Sequence, residues 1–240
     1  LNHRQLVIFS GVILLLYWLS LWCFGIISGL NPYGLESNFP RWIDLTILRD
    51  THLYHGTGIP FDPEGLLSTV PAIITVLIGY ATGIVIQETE NGTEKVKYLL
   101  KAGATITIIG WIWGFLFPIN KQLWTSSYVL FTGGLAIMIL AICIFFIDIK
   151  GFNKLAHPFV IFGTNSIFLF TASGLWVKTI LKIKFILNEK TVSGYTYLYQ
   201  TVFQPLAGDL NGSLLFALSN VGMWWLILYW MYRKKIFIKI

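Results

Sequence analysis

The side chains best able to do chemistry crowd into one stretch: Asp44, then Asp50, His52 and His55, then Phe61-Asp62-Pro63-Glu64-Gly65. Carboxylates and imidazoles this close can hold an ammonium group, orient sugar hydroxyls or accept a proton. Asp62 and Glu64 immediately precede an apolar run, where a helix N-terminus stabilises a carboxylate. Acidic capping of a proline-led helix and a substrate site are therefore equal readings. His52 and His55 with Asp50 match no metal-ligand spacing, so no metal is expected. A second polar turn, Phe117-Pro118-Ile119-Asn120-Lys121-Gln122-Leu123-Trp124, supplies Asn120, Lys121 and Trp124, with Trp124 or Trp42 available to stack on a sugar face. Lys121 has the alternative of snorkelling to the headgroups. Asn165-Ser166 lies inside an apolar run, where hydrogen bonding between helices is the default role. No glycine-rich phosphate loop, Gly-x-Ser-x-Gly elbow or His-Glu-x-x-His pattern is present, which leaves soluble-type ATPase, hydrolase and zinc-protease chemistry unsupported.

The elements that must position these residues are apolar. Of 240 residues, 55% are hydrophobic and only 12% charged, and the mean hydropathy is +0.70, so the bilayer is the expected solvent. Uncharged runs at Leu6 to Ile27, Leu66 to Ile86, Ala102 to Asn120, Gln122 to Ile147, His157 to Val177 and Asn211 to Tyr232 each approach or exceed the roughly 20 residues that cross a hydrocarbon core. They predict an all-α, polytopic transmembrane helical bundle of about six spans, taken as one domain over residues 1–240. The third and fourth runs meet at Pro118 to Lys121, which predicts a tight helical hairpin. Gly79 and Gly83, four residues apart, predict a close helix contact.

Six spans put both termini on one face. That face carries Arg4, Lys95, Lys97, Lys101, Lys150, Lys154, Arg233, Lys234, Lys235 and Lys239, against seven basic residues on the other, which points the C-terminus to the cytoplasm. The long segments at residues 31–65 and 182–210, the latter with Asn188 and Gly208, become the non-cytoplasmic loops, and long ordered loops are usually functional. The net charge of +6 sits in short clusters between apolar runs, so lipid headgroups rather than nucleic acid are the expected partners. Cys23 and Cys143 lie inside apolar runs and read as small core residues. The chain starts at Leu1 without an initiator methionine, so an upstream segment is expected.

Taken together and in order, Ile43-Asp44, Asp50-Thr51-His52-Leu53-Tyr54, Phe61 to Thr69, Phe117 to Tyr128 and Arg233 to Phe237 resemble the heparan-alpha-glucosaminide N-acetyltransferase family over nearly the whole chain. The resemblance implies a transmembrane enzyme that takes acetyl from acetyl-CoA in the cytoplasm and delivers it to the amine of a glucosamine-containing sugar on the other side. It implies acetyl-CoA as the donor and the bilayer and an amino sugar as partners; a homodimer is one assembly open to it. In that family the acetyl-handling histidine lies upstream, near the first transmembrane helix, and this chain has no counterpart; the chain corresponds to the C-terminal half of a larger bundle, and its catalytic residue is unassigned. Asp62, Glu64, Asn120, Lys121, Trp124 and Asn165 carry over as substrate-binding positions. Ser173 stands where some members have a histidine. Bacterial relatives labelled as N-acetylglucosamine-related transporters leave two alternatives, an amino-sugar transporter without covalent chemistry and an inactive fragment. A bacterial inner membrane is the expected location.

Overall fold

The structure is a computed structural model that describes residues 3–187 and 189–238. Lys239, counted above for orientation, and Asn188, placed above in the second loop, lie outside the described residues. The chain forms two compact units, Leu1–Gly151 and Phe152–Ile240. Apart from one short hairpin, the regular structure is helical.

The first unit holds α1 (His3–Ser28), α2 (Phe39–Leu48), α3 (Thr69–Glu88), α4 (Gly92–Trp113) and α5 (Ser126–Ile144), the last running on into a π-helical turn at Phe145–Ile149. Leu14, Ile74 and Val129 from α1, α3 and α5 form one buried cluster, and Leu99, Ile137 and Ala141 join α4 to α5 in another. Large apolar side chains such as Ile27 on α1 and Val76 on α3 face outward, the arrangement expected where lipid replaces water. α4 and α5 make the closest helix pair. A Cβ on Gly110 would fall 2.4 Å from the backbone nitrogen of Phe131, and one on Gly134 would fall 2.5 Å from that of Thr107. The helical hairpin is thus present. Its contact glycines are Gly103, Gly110 and Gly134, whereas Gly79 and Gly83, the predicted pair, have nothing within 4 Å. Spacing shows which small residues share a face but not which face meets a neighbour.

The second unit holds α6 (Asn153–Thr164), α7 (Ser166–Lys182), an antiparallel hairpin of β1 (Lys184–Leu187) and β2 (Lys190–Ser193), α8 (Gly194–Leu198) and α9 (Gln204–Arg233). Residues 182–210, expected as a loop, are therefore largely regular. α9 begins as far back as Gln204 and bends at Gly208, whose φ of 75° and ψ of −173° interrupt the helix in a conformation suited to glycine. Ile161, Leu228 and Met231 form the buried cluster of this unit.

By length and composition, four helical segments can cross a membrane, Arg4–Ser28, Thr69–Glu88, Ser126–Ile149 and Gly194–Arg233, and α6 with α7 makes a fifth if that bent pair is one span. This is a helical membrane bundle, as expected, in which four or five elements among the described residues pass that test of length and composition. The expected third span is displaced. α4 starts at the Asn91 cap, takes in Lys95, Lys97 and Lys101 and stops at Trp113, so the last seven residues of the apolar run 102–120 fall in the turn that follows. The expected fifth span is broken by 68° at Asn165, whose φ of −133° and ψ of 39° are not helical.

Asn165 is 1% exposed. Its Nδ2 donates to the Ile236 carbonyl at 3.0 Å and its Oδ1 accepts from the Ile238 N–H at 2.9 Å. The side chain therefore pairs like a piece of backbone with the segment that follows α9. In an Asn165→Ala variant both bonds are lost, together about 1–3 kcal/mol. Amide exchange in the peptide containing Ile238 is expected to accelerate roughly tenfold, the factor that corresponds to about 1.4 kcal/mol, when followed by mass spectrometry.

Candidate functional site

The segment Phe61–Ser68 is held by short-range bonds that its residue types dictate. Phe61 is fully buried and its N–H donates to the Tyr54 carbonyl. Asp62 Oδ1 accepts from the Glu64 N–H at 2.9 Å, and the Gly65 N–H donates to the Asp62 carbonyl at 3.2 Å, the self-bonding turn for which aspartate is suited. The Ser68 hydroxyl lies 3.1 Å from the Pro63 carbonyl and 3.0 Å from that of Gly65, and Thr69 Oγ1 donates to the same Gly65 carbonyl. Acidic capping of α3 is not what these residues do. The helix starts only at Thr69, its cap position is Ser68 and its first turn holds no acid, so Asp62 instead caps the turn upstream of it.

Across this turn lies Asp44, which is 0% exposed. It sits four residues after Pro40, the other buried residue of α2, on the face that one helical turn repeats. α2 itself is nucleated by Asn38, whose side chain accepts from the Arg41 N–H at 2.8 Å, and is fixed to α1 by stacking of Phe39 on Phe24. Asp44 Oδ1 accepts from the Leu66 N–H at 3.0 Å. Its Oδ2 is buried without a hydrogen-bond partner and occupies the space a Cβ on Gly65 would need. Burial pushes this carboxyl up from its ordinary value, the Leu66 N–H opposes the rise and the charge of Asp62 adds to it. In the sequence Asp44 is one acid among several, with no role of its own. The available clue was its i, i+4 relation to Pro40.

Among the described residues no lysine or arginine forms an ion pair with Asp44, Asp62 or Glu64. Arg41 spends its guanidinium on backbone, donating from Nε to the Pro60 carbonyl at 3.0 Å and from Nη1 to the Glu36 carbonyl at 2.7 Å. Among the described residues the ion pair found is His55 with Asp50, at 3.0 Å and well exposed, so Asp44, Asp62 and Glu64 have no cationic side chain against them. His52 is turned to the Leu48 carbonyl, and His157, in the second unit, packs edge-on against Tyr232.

The second turn is built as tightly. Asn120 Oδ1 accepts from the Gln122 N–H at 2.8 Å, the Asn120 N–H donates to Thr125 Oγ1 at 3.0 Å, and that hydroxyl donates to the Pro118 carbonyl at 2.9 Å. Ser127 Oγ bonds the Phe117 carbonyl, Ser126 Oγ the Leu14 carbonyl and the Tyr17 hydroxyl the Leu123 carbonyl, so the turn is fastened to α1. Trp124 adopts a φ of 49°, packs its ring into the Leu14, Ile74 and Val129 cluster and donates from Nε1 to Thr75 Oγ1 at 3.2 Å. Lys121 is exposed. Leu67, just after the acidic turn, and Phe117, just before the other, pack in one cluster with Tyr17 and Leu21. The structure therefore brings Asp62, Glu64, Asn120, Lys121 and Trp124 to the same end of the first unit. Trp42, more than half exposed beside Phe39, is the freer aromatic surface there. Asn165 belongs to the second unit, with its amide engaged as described.

No family model matches the chain. It is 28% identical to mouse heparan-alpha-glucosaminide N-acetyltransferase over 220 residues, 83% of this chain and 30% of that protein. Against the human protein of the same name it is 28% identical over 235 residues, 89% of this chain and 32% of the relative. The chain is similar to heparan-alpha-glucosaminide N-acetyltransferases. It spans about a third of the length of these curated relatives.

Proposed function

We propose that the chain is the acceptor-binding part of a transmembrane acetyltransferase, which moves acetyl from cytoplasmic acetyl-CoA to the amine of a glucosamine-containing sugar across the membrane. The observation that carries this reading is the acidic turn. Asp62 and Glu64 stand over a buried carboxyl, Asp44, with no cationic side chain against them, inside a chain similar to acetyltransferases. An amino sugar is largely an ammonium ion at neutral pH. A carboxylate mouth attracts it and can accept the proton that must leave before the nitrogen attacks a thioester carbonyl. The attack forms the C–N bond, the C–S bond breaks, and the proton the nitrogen loses on acylation goes to the departing thiolate, which leaves as the thiol. Asp62 and Glu64 bind and orient the amine in this scheme, and Trp42 offers a face for the ring.

Acetyl-CoA enters as a substrate, at a place other than the acidic turn, whose charge repels its phosphates. Arg233, Lys234 and Lys235, all exposed at the end of α9, support a cytoplasmic C-terminus. The test is acetyl transfer from acetyl-CoA to glucosamine by the purified full-length protein. An Asp62→Asn, Glu64→Gln double variant is expected to lose at least about tenfold in kcat/KM, which corresponds to about 1.4 kcal/mol of binding to the acceptor. A wild-type rate in that variant removes the acidic turn from the reaction. Sugar flux into liposomes without an acetyl donor, with no acetylated product, replaces the enzyme by a transporter.

A further inference from the structure

We infer that Asp44 is the positioning residue of the acceptor mouth: from inside the protein its carboxylate fixes Gly65 and Leu66, and through them sets Asp62 and Glu64 for a primary ammonium ligand. The inference rests on the proposed function and adds to it a residue that never meets the substrate.

Three observations converge on this role. Asp44 Oδ1 bonds the Leu66 N–H across 22 residues of sequence and so ties the acidic turn itself to α2, while Arg41 of the same helix holds Pro60 just before it. Its Oδ2 presses against Gly65, the residue whose own N–H returns to the Asp62 carbonyl. That oxygen is buried without a partner. An uncompensated buried carboxyl oxygen is costly, and an apolar residue of the same volume commonly serves stability as well or better. A carboxylate that merely filled this space would be a poor choice. One that aims a backbone N–H behind the half-buried Asp62 and the exposed Glu64 has a purpose. The groups acting on it are Asp62 and the Leu66 N–H from the turn and Tyr17 from α1, whose hydroxyl donates to the Leu123 carbonyl; Arg41, on its own helix, donates to the Pro60 and Glu36 carbonyls.

The experiment is steady-state acetylation by the full-length protein with each substrate varied in turn. Asp44→Ala is expected to raise KM for glucosamine at least tenfold and to leave KM for acetyl-CoA within twofold. Asp44→Asn, which keeps an acceptor oxygen for Leu66, is expected to recover most of that loss. An Asp44→Ala, Gly65→Ala double variant covers the case in which Asp44→Ala does not fold, because the new methyl group takes the space the carboxylate leaves. This variant is expected to fold and still show the raised glucosamine KM. An unchanged glucosamine KM, a parallel rise in both KM values, or an asparagine variant no better than alanine overturns the inference. A wild-type protein that acetylates nothing overturns the proposed function instead.

Discussion

Alanine at Gly65 alone is expected to cripple the acidic turn while leaving the helices in place. The added Cβ would fall 1.9 Å from Asp44 Oδ2, well inside any tolerated contact. Asp44 cannot retreat, because the side chain is short, fully buried and tied to Leu66. Either the turn moves or the Leu66 bond breaks. Overpacking costs about 1–3 kcal/mol and a lost bond to a charged acceptor about 1.5–3 kcal/mol. The thermal unfolding midpoint of the detergent-solubilised protein is expected to fall by at least about 2 °C, since each kcal/mol moves a chain of this size by about 2–4 °C. Glucosamine acetylation is expected to fall more steeply than stability, because Asp62 and Glu64 move with the turn. Wild-type stability and wild-type kinetics together would show that the turn has room that the packing denies it.

The second large effect lies in the α4–α5 hairpin. Alanine at Gly110 places its Cβ 2.4 Å from the Phe131 nitrogen and 2.9 Å from the Phe131 Cα. These are backbone atoms with no rotamer to escape into, so the two helices must separate along their contact. The separation also strains the Gly103 and Gly134 approaches, where a Cβ would meet backbone within 2.8 Å and 2.5 Å. We expect a loss at or beyond the upper end of the ~1–3 kcal/mol for overpacking, read as a drop of roughly 6 °C or more in the unfolding midpoint and as faster proteolysis between α4 and α5. Gly79→Ala on α3, which meets nothing, is the control and is expected to leave the midpoint unchanged.

That contrast shows where sequence patterns stop. The glycines at 79 and 83 had the spacing of a helix contact, and those at 103 and 110 were not singled out. A repeat of small residues says that a groove exists on a helix; whether a neighbour lies in the groove depends on the path of the chain. The same limit applies to span boundaries. Apolar length placed α1, α3 and α5 to within a few residues, because charges or glycines lie close to their ends, but it put the third span about ten residues too late. Helix α4 begins where Asn91 caps it, accepting from the Thr93 and Glu94 N–H groups, and not where the charges end.

For the site, the residue types were legible and their duties only partly so. Asp62 and Glu64 stood out as carboxylates at a helix mouth, yet whether Asp62 served α3 or its own turn depended on where the helix started. Asn120 and Trp124 were named as mouth residues, and the structure gives them hydrogen bonds to Gln122 and Thr75 that shape the neighbouring turn. Asn165 was placed as an interior polar group, and its bonds to Ile236 and Ile238 could not have been foreseen. They join residues some 70 positions apart.

By itself the sequence determined the solvent, the helical class and the chemical character of the mouth. Hydrophobicity, helix length and charge are properties of residues and short runs, and they survive without knowledge of neighbours. The tertiary structure alone decided that Asp44, a single acid on a short helix, is buried against Gly65 and governs the turn from behind. Burial and a bond across 22 residues arise only when α2 is folded back over the entrance to α3, so nothing in the local pattern around Asp44 could have carried them.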